Sequence, residues 1–153
     1  MSRKYCLLAT EGPHDQEVAK EKAEGLRNYF PTLSEIPGVI MPGTPRTGIY
    51  VLPDNKQPGA LDSIPVKCAS TVYPDHKKGA IQFINDLDVK HTQHLNFTKK
   101  DKAIVACIVS ILKPGSTNTV SISQNDWISN QTINNEDVAS LYQFIKELLE
   151  LPS

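Results

Sequence analysis

The stretch "YCLLATEGPHDQEVAKEKAEGL" limits most strongly what this chain can fold into. A short apolar run, Tyr5 to Thr10, breaks at an acid and a glycine, and a helical pattern follows at once. A short apolar run bounded by turn formers reads as a buried strand. The helical pattern spans Glu17 to Tyr29, with Val18, Ala19, Ala23 and Leu26 on one side. Gly25 weakens its interior, and Pro31 helps to end it. Open α/β sheets collect their chemistry outside the carboxyl ends of the strands. Glu11 and Gly12 stand at such an end.

Two further strands are expected, Gly38 to Met41 and Gly48 to Leu52. The turn formers between Pro42 and Thr47 permit a hairpin with a longer loop. After Leu52 comes "PDNKQPGALD", a second polar loop at a strand end. From there the pattern is helical. Ala60 to Tyr73 is expected as a helix kinked at Pro65, and Asp75 to Leu87 as one with Ile81, Phe83, Ile84 and Leu87 apolar. Thr98 and Asp101 read as a capping box ahead of the buried helix "KAIVACIVSIL", which Pro114 and Gly115 stop. Residues 116–134 are polar and hold few signals beyond Trp127. Asn134 reads as the cap of a last helix, Glu136 to Leu151. Its expected apolar face is Val138, Leu141, Tyr142, Ile145, Leu148 and Leu149. The expected fold class is α/β: a small, largely parallel or mixed sheet flanked by helices, with a helical C-terminal part, in one domain over 1–153.

Composition narrows the function classes. Of 153 residues, 39% are hydrophobic and 22% charged, which fits a globular chain with a real core. The net charge of −1 gives no global basic field for nucleic acid, so any phosphate contact must be local. Cys6, Cys68 and Cys107 are widely spaced, with no C-x-x-C, so neither a zinc knuckle nor a disulfide framework is supported. Cys6 and Cys107, inside apolar runs, read as small core residues. The apolar run at the start is too short for a signal peptide or a membrane helix, and a cytoplasmic protein is expected.

The remaining motifs divide by geometry. Asp86 and Asp88 would share a face on a strand, but at a helix end they do not. His91 and His94 lack a third ligand and read as a surface turn. No P-loop, G-x-G-x-x-G or G-x-S-x-G is present. Two acid loops follow apolar strands: Glu11 with Asp15, and Asp54 with Asp62. If the strands are neighbours, the loops converge. Clustered carboxylates repel, and a hard divalent cation relieves the repulsion.

"YCLLATEGPHD" resembles the first motif of TOPRIM domains, the metal-binding α/β domains of topoisomerases, primases and OLD-family nucleases. "RTGIYVLPDNKQPGALDSI" resembles a later conserved region of TOPRIM-like proteins near those nucleases. The whole chain resembles a TOPRIM-like family of bacterial proteins without an assigned function. The resemblance implies a Mg²⁺-dependent phosphoryl-transfer site acting on nucleic acid. Glu11 would be the catalytic acid or first metal ligand, and Asp54 and Asp62 the other metal ligands. A TOPRIM domain also carries an Asp-x-Asp strand after its first motif. No such strand lies between Asp15 and Asp54, and the resemblance places the missing segment near Gln16. Two functions follow: a catalytically incomplete binding or interaction module that holds Mg²⁺ weakly or not at all, or a Mg²⁺-dependent nuclease. A missing strand would also leave Cys6, Leu7 and Leu8 poorly covered and the sheet edge open to self-association.

Overall fold

The computed structural model describes residues 5–11, 15–57 and 59–152, and for Leu8, Glu11, Asp15 and Gln16 the backbone alone. The elements run β1 (Tyr5–Glu11), α1 (Asp15–Leu26), β2 (Ile40–Met41), β3 (Arg46–Leu52), α2 (Ser63–Val72), α3 (Pro74–Asp86), α4 (Val89–Thr92), α5 (Phe97–Leu112), α6 (Asn118–Gln124) and α7 (Glu136–Leu148). The α/β class and the helical C-terminal part are as expected. The residues group into two compact units: Met1–Ala60 with Ala139–Ser153, and Leu61–Val138.

The first unit holds a three-stranded mixed sheet in the order β1-β3-β2. β1 pairs with β3 in parallel, from Tyr5↔Arg46 to Glu11↔Leu52. Parallel neighbours need a crossover, and α1 lies in that connection. β2 and β3 form the expected hairpin, antiparallel at Ile40↔Gly48 and Met41↔Thr47. Side chains of the central strand alternate between faces. Ile49 and Val51 pack on Ala19 and Ala23 of α1 and on Leu33, all buried. The two alanines on the helix stripe carry this contact, as the pattern at 18–26 implies. On the other face Tyr50 packs its ring against Phe144 of α7, with centroids 5.2 Å apart. The Tyr50 hydroxyl donates to the Pro53 carbonyl at 3.1 Å and meets Ser140 Oγ at 2.9 Å. Among the described residues β1 has β3 as its one strand neighbour, and Leu7 is 39% exposed. The small sheet with a thinly covered first strand is therefore present; the side chain of Leu8 lies outside the described residues.

The second unit is helical around one core: Val66 and Ala69 of α2, Ala80 and Ile84 of α3, Ile104, Val105, Ile108 and Val109 of α5, and Trp127. Pro65 does not stand in the middle of α2. The helix starts at Ser63, so Pro65 lies in its first turn, where the missing N–H has no intrahelical partner to lose. Thr98 and Asp101 do not form a capping box. Asn96 caps α5 instead, accepting from Lys99 N at 3.0 Å, and Asp101 turns inward. Asn135, not Asn134, accepts from the Asp137 amide near the start of α7. The buried face of α7 includes Phe144 and leaves Tyr142 50% exposed. Cys68 is the fully buried cysteine, whereas Cys6 and Cys107 are half-buried.

The polar stretch 116–134 is ordered by its hydroxyls. Thr117 caps α6 by accepting from Val120 N. The Trp127 indole N–H donates to Ser121 Oγ at 3.1 Å, and Thr132 Oγ1 donates to the Trp127 carbonyl at 3.0 Å. A buried indole needs such an acceptor.

Candidate functional site

The parallel register places the acid loops. Glu11 ends β1 opposite Leu52, the last residue of β3, and Asp54 follows two residues later. The backbone therefore brings Glu11 and Asp54 to one edge of the sheet, at the carboxyl ends of two adjacent parallel strands. Gly12 and the carboxylate of Glu11 lie outside the described residues.

The loop after β3 is tightly built. Asp54 is buried, and its Oδ1 accepts from Lys56 N at 3.0 Å and Gln57 N at 2.8 Å. Asn55 adopts a left-handed backbone, φ 64°, which asparagine tolerates better than most residues. Its backbone N–H donates to Val51 O and its side-chain Oδ1 accepts from Val51 N, both at 2.8 Å. Gly38 (φ +75°) lies against it: a Cβ there would sit 3.0 Å from Asn55 Nδ2. Asp54 thus holds a turn together, with one oxygen already occupied.

Asp62 belongs to the second unit. It precedes α2, and its Oδ1 accepts from Asn118 Nδ2 at 2.9 Å. Asp88 caps α4 by accepting from Lys90 N, and its other oxygen pairs with Lys90 Nζ at 3.2 Å. Asp86, His91 and His94 are exposed. Among the described residues no group of three His, Cys, Asp or Glu side chains converges. The described acids do not, by themselves, fit a divalent cation cage, which takes six or more oxygens.

Two further acids are buried although no site motif in the sequence contains them. Asp101 is buried on α5, where Ser63 Oγ donates to its Oδ2 at 2.7 Å. Burial pushes its carboxyl above the usual range, and the Ser63 hydrogen bond opposes this. Asp137 is fully buried; Lys67 Nζ donates to its Oδ1 at 2.8 Å and lies 2.7 Å from Oδ2. Beside this pair, burial also pushes the Cys68 thiol up, against a hydrogen bond with Thr132. The sequence does carry a signal for Asp101. It stands three and four residues before Ile104 and Val105, on the stripe that α5 buries.

A family model described as a protein of unknown function (DUF3226) matches residues 15–150. The chain belongs to that family. The DUF3226 match begins where α1 begins, so Asp54 and Asp62 fall inside it and β1 with Glu11 falls before it. Comparison with curated proteins and with solved structures gives no match. Among the described residues no helix is long and apolar enough to cross a membrane.

Proposed function

We propose that the chain is a TOPRIM-like binding module with an incomplete catalytic set, and that its ligand edge is the carboxyl end of β1 and β3. The observation that supports this reading is the parallel register. It sets Glu11 level with Leu52, two residues from Asp54, where open α/β sheets hold their ligands. Glu11 and Asp54 are the proposed ligands of a weakly held Mg²⁺, and a nucleic acid phosphate is the proposed partner. Asp54 already gives one oxygen to its own turn, which argues against a tight site. Titration calorimetry with Mn²⁺ should give weak binding that Glu11→Gln removes. A sub-micromolar site would refute the incomplete set. Cleavage of DNA or RNA with Mg²⁺, lost in Asp54→Asn, would establish the nuclease reading instead.

A second part of the reading concerns β1 as an interaction edge. Its residues, YCLLATE, include no proline and no lysine, the usual guards of an outer strand. Pairing of two copies through β1 is the association this edge favours. Light scattering across a concentration series should show it. A strictly monomeric chain at all concentrations would refute it.

A further inference from the structure

β1 borders β3 along its whole length, but β2 covers only its first part, as far as Gly48 opposite Ile40. Just beyond that pair, the Ile49 carbonyl still finds the Gly38 N–H, at 2.8 Å. The hydrogen-bonding groups of a strand turn to the same side every second residue. Val51, two residues after Ile49, therefore turns its N–H and C=O to the β2 side, where β2 no longer reaches. Val51 is fully buried, and buried backbone groups need partners.

Asn55 supplies both partners. Its backbone N–H meets Val51 O and its Oδ1 meets Val51 N. In an antiparallel ladder two residues exchange both bonds in this way. Here a residue from the strand's own loop does so, with a side-chain amide oxygen in place of a carbonyl. The residue type is narrowly set. A left-handed backbone suits glycine, asparagine and aspartate, and glycine brings no acceptor. Gly38, whose N–H holds Ile49 O, also lies against the Asn55 amide. The turn so locked carries Asp54, whose Oδ1 accepts from the amides of Lys56 and Gln57, the two residues after Asn55. A left-handed residue held by this many contacts is the kind of local strain that collects at ligand clamps.

We propose that Asn55 is a positioning residue of the ligand edge. By pairing with Val51 in place of a strand neighbour, it fixes the Asp54 carboxylate at the sheet edge that Glu11 shares. That Asp54 binds a cation rests on the reading given above; how Asp54 is held rests on the hydrogen bonds alone.

Amide hydrogen exchange and Mn²⁺ line broadening, both read by NMR on the full chain, test the two parts separately. Asn55→Gly keeps the left-handed backbone and removes Oδ1. It should melt within about 5 °C of the wild type, since one hydrogen bond is lost. Its Val51, Lys56 and Gln57 amides should exchange about tenfold faster, while the amides of α1 stay as slow as before. Asn55→Asp returns an acceptor and should return the slow exchange. At Mn²⁺ well below saturation, broadening of the Lys56 and Gln57 signals should fall about tenfold in Asn55→Gly, as for loss of a group that orients a metal ligand. It should come back in Asn55→Asp. Lys56 and Gln57 amides as slow in Asn55→Gly as in the wild type would overturn the positioning role. So would faster exchange with Mn²⁺ broadening unchanged. No broadening in the wild type would instead overturn the cation reading of Asp54, and the exchange result would still decide the role of Asn55.

Discussion

Gly48 lies in the middle of β3, between Leu7 of β1 and Ile40 of β2. A Cβ added there would fall 2.7 Å from Phe144 Cζ and 3.5 Å from Ile40 Cγ1. Carbon atoms rest at about 3.5–4.0 Å, so the Phe144 ring would have to retreat by roughly 1 Å. Little room exists for that. Phe144 is 5% exposed, and its ring is packed on that of fully buried Tyr50. In an ordinary strand interior alanine would be no worse than glycine, which has no side chain to pack. Here Gly48→Ala should cost about 1–3 kcal/mol, the usual range for overpacking. For a chain of this length that lowers Tm by roughly 3–10 °C. The assay is urea unfolding of Gly48→Ala, Phe144→Leu and the double variant. Leucine removes the ring tip, so Gly48→Ala should become nearly neutral in the Phe144→Leu background. The double-mutant coupling should be about 1 kcal/mol or more. Additive costs, or a Gly48→Ala chain as stable as the wild type, would show that the ring does not meet the strand there.

The Asp101 carboxyl, raised by burial, supports the fold while protonated. That contribution is full below the ordinary value of 3.8 and is lost as pH rises through the raised folded value. Asp101→Asn keeps an acceptor for Ser63 without the charge, so its stability relative to the wild type should rise from about pH 4 to about pH 7; a flat or falling difference would refute this. Lys67→Met leaves the Asp137 carboxylate buried without its cation and should cost about 1–3 kcal/mol in urea unfolding, below the fully buried range because Lys67 is partly exposed. Adding Asp137→Asn should recover part of that loss. Iodoacetamide should label half-buried Cys107 in the native chain and leave Cys68 unmodified until denaturant is added, because only the thiolate reacts and burial disfavours it.

Periodicity and punctuation determined much of this protein by themselves. The apolar run at Tyr5, the apolar run from Gly48 to Leu52, and the stripe of Ala19 and Ala23 suffice to place β1, β3 and α1. Their pattern is set by which face is buried, and that is local information. Parallel pairing of β1 with β3, and with it the shared edge of Glu11 and Asp54, depends on contacts some forty residues apart. Helix ends were less legible. Asn96 competes with Thr98 as a cap, and Asn135 with Asn134, and the hydrogen bond each can make depends on backbone angles rather than residue type. α6 was missed because its hydroxyl-rich sequence has no apolar stripe; it is held by the Trp127–Ser121 bond and by packing. Tertiary structure alone supplied the partners of the buried Asp101 and Asp137, Ser63 and Lys67, each from another helix. It alone opened the apolar hollow between α3 and α5 that Gly79, Phe83 and Ile111 line. A glycine in a helical pattern reads as a weakness in sequence, and it becomes a feature only when the neighbouring helix leaves space beside it.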